Sequence, residues 1–458
     1  MHRPYQYRPP YVITSRAAPC QISLPPPPRR RPGARAVAPG CSPTPSATSA
    51  TATTRPPPTA HAVTSQGSDI KVTFELADPP AVSRCFVHCH GLGESRYGGD
   101  PVVLCSADAF VLLVVPFIHG SRPAPGAQSL RGRSRGSQFG GCGEYNDFFV
   151  YRAGPGAPSL SLLPGVDSYR SPDYVTLAGV VPLGGADLNS KDYTVVFPSL
   201  SKFRSRYTND STSKEYNLYV YRSDISDWQW HNMVSKKNNS EVIMQHEGTR
   251  VTFAGRGTLG WVNHWHGILL CNVLDQYPVM HLIEWPVPMP CDLVLRFGMG
   301  VENIYARPFR DVTISNDVIK FAELKSSRCS DTHNDKGVIG QGWTVTTWNR
   351  EICSNKWQKR FTIKADGVPI TGSSYPKVSG GKRLSWDKVI HGGPIMSLCG
   401  DDVVYIMAQL DIRPPIAWML AINIREGTLE AVRQCSAEKM LGLEPTYVQC
   451  ALSDYLKQ

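Results

Sequence analysis

The sequence predicts an all-β, β-propeller-like fold behind a disordered leader. Three observations carry this reading. Short segments rich in aromatic and β-branched residues are punctuated by Gly, Pro and Asp turns through residues 59–458. No helical periodicity separates one segment from the next, as it would in an α/β chain. A hairpin-shaped motif also recurs at sparse intervals, as propeller blades do. Stacked β-sandwiches are the alternative that the same pattern allows. A chain of 458 residues holds two or three average domains or one large all-β domain, and 41% hydrophobic residues suffice for a sizeable core.

Residues 1–58 form the leader. Pro25 to Pro28, Arg29-Arg30-Arg31, the Ser/Thr/Ala tract from Ser46 to Thr54, and Pro56 to Pro58 bury no apolar surface. From about His61 the chain turns strand-like. Asp69 to Leu76 alternates, with Ile70, Val72, Phe74 and Leu76 on one face, and Val82 to His88 follows. Val102 to Cys105 and Ala109 to Pro116 read as a pair of strands, and residues 120–143 as a long Gly/Arg/Ser loop.

Glu144 to Arg152 is then echoed by Glu215 to Arg222, each an aromatic strand followed by a polar turn and a second strand, Ser159 to Leu163 or Trp228 to Trp230. Gly342 to Arg350 with Lys356 to Lys364 makes a third such hairpin, and Val403 to Leu410 with Ala417 to Ile424 a fourth. Leu429 to Leu441 has moderate helical character, and Ser453 to Gln458 reads as a frayed end.

Charge narrows the function classes. The net charge of +10 owes most to residues 1–60, which hold eight Arg, no Lys and no acid. The remainder has 40 basic against 38 acidic residues, so a broad nucleic-acid face is not expected. Thirteen cysteines, an odd and scattered set without a secretory signal, point to a reducing compartment. The longest apolar run, Ala109 to Ile118, is far short of the roughly 20 residues that span a bilayer. The expectation is a soluble intracellular protein of the cytoplasm or nucleus. Organelle import is a minority possibility, because the acid-free, Arg-rich leader resembles a transit peptide yet lacks an amphipathic helix.

The stretch Gly260 to Leu274 is too long for one strand of about 5–6 residues and reads as an aromatic half, Gly267, and an apolar run. It also carries a family resemblance. Gly260-Trp261-Val262, Trp265, Gly267-Ile268-Leu269-Leu270-Cys271, Pro286-Val287-Pro288-Met289-Pro290, and Arg310-Asp311-Val312-Thr313-Ile314 leading to Ile319-Lys320-Phe321 resemble the plant domain of unknown function 1618 (DUF1618), a large group in grasses. Ala77 to Ser83 and Val196-Phe197-Pro198 look familial too, so the resemblance extends over 65–458 with its core at about 260–385.

The resemblance implies a propeller-like fold akin to kelch or F-box-associated domains and no established activity. Members usually carry Asp where this chain has Asn263 and Asn272, and Arg where it has His266. Members also tend to begin with a strand, in place of which residues 1–58 stand here, so one blade would be left open.

Several short motifs carry residue types suited to chemistry. Cys85, His88, Cys89 and His90 offer metal-ligand types, but Cys85 and Cys89 share one strand face and the two histidines the other. No second pair sits at a zinc-finger spacing, so a strand with buried thiols is expected. His264 and His266 share one strand face, with Trp265 on the other, and histidines so placed usually decorate a polar face.

Gly132-Arg133-Ser134-Arg135-Gly136 lacks the strand and helix of a nucleophile elbow. Gly255 to Gly260 matches a dinucleotide string but leads into a strand, so it reads as a hairpin turn. Asp401-Asp402 and Asp224/Asp227 are turn acids. No catalytic residue and no cofactor is assigned.

The leading expectation is a non-enzymatic module that binds an unidentified protein or peptide, with Trp261, Trp265, His264 and His266 as the candidate contacts. The alternative is an enzyme or glycan-binding propeller using His264, His266 and a carboxylate.

Overall fold

The computed structural model of the protein describes residues 19–23, 57–93, 96–118, 144–154, 156–165, 177–184, 190–202, 214–232, 234–235, 249–289, 306–326, 342–369, 390–398, 401–409, 416–436, 448–450 and 452–456. These residues form six β-sheets and almost no helix.

Sheet one contains β1 (Pro19–Ser23), β2 (Thr59–Val63), β3 (Asp69–Glu75) and β4 (Ser83–Cys89). Sheet two is β5 (Val102–Ala107), β6 (Phe110–Ile118), β7 (Glu144–Arg152) and β8 (Ser159–Leu162). Sheet three is β9 (Gly179–Pro182), β10 (Tyr193–Lys202), β11 (Lys214–Arg222) and β12 (Asp227–Asn232). Sheet four joins β13 (Val234–Ser235) to β14 (Arg250–Phe253), β15 (Thr258–Asn263), β16 (Gly267–Asn272) and β17 (Val279–Glu284).

Sheet five is β18 (Arg310–Ser315), β19 (Val318–Ser326), β20 (Trp343–Glu351) and β21 (Gln358–Lys364). Sheet six is β22 (Ile390–Met396), β23 (Val403–Gln409), β24 (Ile416–Asn423) and β25 (Thr428–Ser436). Finally β26 (Val448–Gln449) returns to sheet one beside β1, and α1 (Leu452–Leu456) follows it.

Sheets two, three, five and six are four-stranded antiparallel meanders. In five sheets the residue just after the third strand donates its N–H back to the start of the second: Ala153 to Ala109, Ser223 to Tyr193, Val273 to Gly257, Ile352 to Asp317 and Ile424 to Asp402. This common register is a structural repeat beneath divergent sequences.

Packing runs from each sheet to the next. One apolar cluster joins sheets two, three and four through residues such as Leu112, Val195, Val251 and Trp261. Another joins sheets one and two through Phe74, Leu113 and Phe149. Val262, Ile268, Val312 and Phe321 join sheets four and five, and Leu324, Val345, Ile406 and Leu420 join five and six. Val82, between β3 and β4, packs against Ile395, Tyr405 and Met419 of sheet six. A middle sheet is therefore buried on both faces, which explains the unbroken apolar runs. Phe110, Leu112 and Val114 of β6 enter one cluster while Val111, Leu113, Val115 and Phe117 enter the next.

The aromatic hairpins form as the sequence predicts, and Ile70, Val72 and Phe74 of β3 are buried while Asp69, Lys71 and Glu75 are exposed. Three expectations are corrected. Residues 428–436 of the stretch read as helical form β25, because Leu429 and Val432 reach the core shared with sheet five through an irregular register at Ala421/Ile422. Leu452–Leu456 is a short helix rather than a frayed end, with Leu452 buried.

Within the leader, Pro19–Ser23 pairs antiparallel with β4; the exposed edge of β4 supplies backbone partners that a composition argument does not consider. Residues 1–18 and 24–56 lie outside the described residues, as do the loop at 120–143 and the Ser134 motif.

Gly267 shows how tightly these strands are seated. It pairs with Asn263 on one side and Glu284 on the other, and a Cβ there would collide with the carbonyl oxygen of Ile283. Gly267→Ala is expected to lower the free energy of unfolding by about 2–3 kcal/mol, high in the usual overpacking range because the obstacle is backbone. Gly367→Ala adds its methyl to open space and should change stability by less than about 0.5 kcal/mol. Urea titrations of both variants test this, and equal midpoints would overturn it.

Candidate functional site

The candidate site is built around the turn between β15 and β16. Asn263 makes that turn: its side-chain oxygen accepts the N–H groups of Trp265 (3.0 Å) and His266 (3.2 Å). An Asp there would offer the same acceptor and make the same turn. At Asn272 the oxygen accepts the N–H of Leu274 and the amide donates to Asp275 (2.8 Å), a donation that an Asp could not make.

The turn corrects the expected placing of the two histidines. They do not share a strand face; residues 264–266 reverse the chain, so that His264 is buried and His266 exposed. His264 Nδ1 lies 3.0 Å from Thr249 Oγ1, and that hydroxyl lies 3.2 Å from the carbonyl of Val262. With the hydroxyl donating to Val262, Nδ1–H donates to Thr249 Oγ1 and Nε2 keeps its lone pair. Nε2 is buried with no hydrogen-bond partner among the described residues. Burial first, then Arg250, Arg307 and Arg310, push the imidazole well below its ordinary range, so it is neutral at pH 7.

Trp265 is buried with the Arg310 guanidinium over its ring at 5.2 Å. Trp261 is buried too, and its indole N–H donates to the carbonyl of Leu177 at 3.0 Å, tying sheet four to sheet three. Three of the four side chains expected to bind a partner thus face the interior. Of the metal candidates, Cys85 and Cys89 are buried while His88 and His90 are exposed on the opposite face, so the four do not converge. Burial pushes the Cys89 thiol up. No group of three or more His, Cys, Asp or Glu among the described residues could hold a metal.

The sequence reading missed the charged groups beside His264 as a site. Arg310 and Asp311 open β18 and point to opposite faces, so each meets a different neighbour. Arg310 is fully buried; its Nε and Nη2 donate to Glu323 Oε1 at 3.2 and 2.7 Å, Nη1 donates to Trp265 O at 3.2 Å, and Nη2 also donates to Pro288 O. Glu323 is its register partner on β19.

Asp311 pairs with Arg250 of β14 at 3.2 Å and accepts the N–H of Met396 from β22 at 3.1 Å. Arg250 also donates to the carbonyl of Val312. Two ion pairs, with the backbone hydrogen bonds they make to Trp265, Val312 and Met396, therefore seam sheets four, five and six. Opposite charges at the head of an otherwise apolar strand are the signal that marks them, since a buried charge requires a partner.

Glu323→Ala strands the Arg310 charge and is expected to cost about 3–5 kcal/mol. Lys325, which also approaches Glu323 but is 71% exposed, should change stability little on replacement by Ala; similar losses in chemical denaturation would contradict the seam. His264 adds a pH dependence. Below about pH 6.5 the unfolded chain takes up a proton that folded His264 refuses, so stability present above that pH is lost as the pH falls. His264→Gln should flatten the decline in Tm between about pH 7.5 and 5.5, and an unchanged slope would refute the neutral imidazole.

Comparison with curated proteins gives no match. Among solved structures, the WD40 domain of SCAP from fission yeast is 10% identical with a TM-score of 0.28, covering 83% of this chain and 77% of that one. A Synechocystis apocarotenoid oxygenase mutant is 11% identical with a TM-score of 0.21, covering 85% of this chain and 62% of its own. MPT-1, a GDP-Man-dependent mannosyltransferase from Leishmania mexicana, is 10% identical with a TM-score of 0.21, covering 77% and 88%. Scores at this level carry no argument about the chain. Residues 261–405, from β15 into β23, match the family described as protein of unknown function (DUF1618).

Proposed function

We propose that the chain is a β-propeller-like module that binds a protein or peptide and performs no chemistry of its own. The serial packing of six sheets, with Val82 of sheet one against sheet six, supports the propeller-like arrangement. The observation that carries the binding role is the contrast between interior and surface. The buried cations Arg250 and Arg310 are paired with Asp311 and Glu323. Large apolar side chains stand exposed in the turns from third to fourth strand of consecutive sheets: Ile225 (50%) in sheet three, Leu274 (42%) and Tyr277 (71%) in sheet four. Exposed aromatic and aliphatic groups in turns of this kind suit a protein contact.

A second reading, an enzyme or glycan-binding module centred on His264, is favoured by its unpaired Nε2. Its exposed companion would be His266, which points away. The leading reading carries with it a soluble, intracellular setting in the cytoplasm or nucleus of a plant cell. No helix among the described residues is long and apolar enough to cross a membrane.

The test is a photo-crosslinking phenylalanine at position 277 of the full chain in plant cells. A discrete adduct at 277, absent when the crosslinker sits at exposed Lys71 and weakened about tenfold or more by Leu274→Asp, is expected of a hot spot. Equal adducts at both positions, or a turnover abolished by His264→Ala, would sink the proposal.

A further inference from the structure

β21 is the last strand of sheet five, and no described strand pairs with its outer edge. Its seven residues carry Lys359, Arg360 and Lys364 and no acid, all three cations are exposed, and exposed Lys356 precedes them. None of these four forms an ion pair among the described residues. In a domain whose charges otherwise nearly balance, this is a local excess. The last strands of sheets two, three and six differ: β8 carries no charge, β12 carries Asp227, and β25 balances Glu430 with Arg433.

A bulge sharpens the pattern. Thr347 pairs with Phe361 and Trp348 with Lys359, so Arg360 has no partner in β20. The extra residue brings Lys359, Thr362 and Lys364 to one face, which plain alternation would split. Phe361 and Ile363 turn the other way, into the core shared with sheet six. Arg360 lies over the Phe361 ring at 5.7 Å, and Arg425 of sheet six over the same ring at 5.8 Å. The nearest exposed acids along the chain are Glu351 and Asp366, flanking the strand.

A free edge offers backbone donors and acceptors to any added strand, and edge cations commonly guard against unwanted pairing. Here the guard is selective. A second copy of β21 would set cation against cation, whereas a strand with carboxylates at alternate positions would meet Lys359 and Lys364 across one face. We infer that the outer edge of β21 is a docking site for an acidic peptide that adds to sheet five as a further strand. This surface is separate from the turns carrying Leu274 and Tyr277 and stands or falls apart from them.

The experiment is fluorescence anisotropy of the full chain with a labelled peptide alternating Glu and Val. Binding should weaken with added salt, and fall at least tenfold for the matched Gln/Val peptide. It should fall as much for a version in which alternate Val are Pro, which lacks the strand's N–H donors. Lys359→Glu with Lys364→Glu should abolish it while the unfolding midpoint stays put, and Tyr277→Ala should leave it intact. Equal binding of the Gln/Val or Pro peptide, equal binding of oligouridylate, or indifference to the double charge reversal would each overturn the inference.

Discussion

The structure depends on burying its central strands from both sides. A strand such as β6 sends alternate side chains into two different clusters, so neither face is free to be polar. Every sheet then needs its neighbours, and each interface is fixed by the sheets on either side. The same constraint explains why the charges near β18 occur as pairs. Arg310 and Asp311 sit where two faces are dry, and each is tolerable only because a carboxylate or a guanidinium meets it from the adjoining strand or sheet. The seam they make costs desolvation but specifies which sheet lies beside which.

Features with local causes were legible in the sequence. The strand–turn–strand units at 144–162 and 214–232 follow from aromatic alternation broken by turn residues, and the Gly255–Gly257 turn from its glycines, both at positive φ. Position within a sheet was less legible. The hairpin of β23 and β24 looks like the others in sequence, yet it supplies the second and third strands of its sheet rather than the third and fourth. Nothing local distinguishes the two cases, because the missing strand, β25, reads as helix until its partner is known.

The candidate site was legible only in part. His264 and Trp265 drew notice by residue type, but a side-chain cap from Asn263 decided their directions, and strand alternation could not anticipate it. Arg310 and Asp311 were visible as a pair of opposite charges. Their partners lie 13 residues away in the case of Glu323, and in another sheet in the case of Arg250. Long-range pairing of this kind leaves no spacing to read. What the sequence distributes along the chain, the fold sorts into an interior whose charges are answered and a surface whose apolar and basic groups are not.

The return of β26 to β1 has a consequence for how the molecule is made. Ile22 pairs with Val448, so sheet one, begun before the other five described sheets, is finished after them. Until then the outer edge of β1 waits without its strand partner while the sheets after it close around nearby turns. The entropy of joining such distant segments grows only as the logarithm of the loop between them, about 0.6 kcal/mol per doubling. Closure is thus affordable but late, and a nascent chain must shield one open strand edge while the five intervening sheets are made.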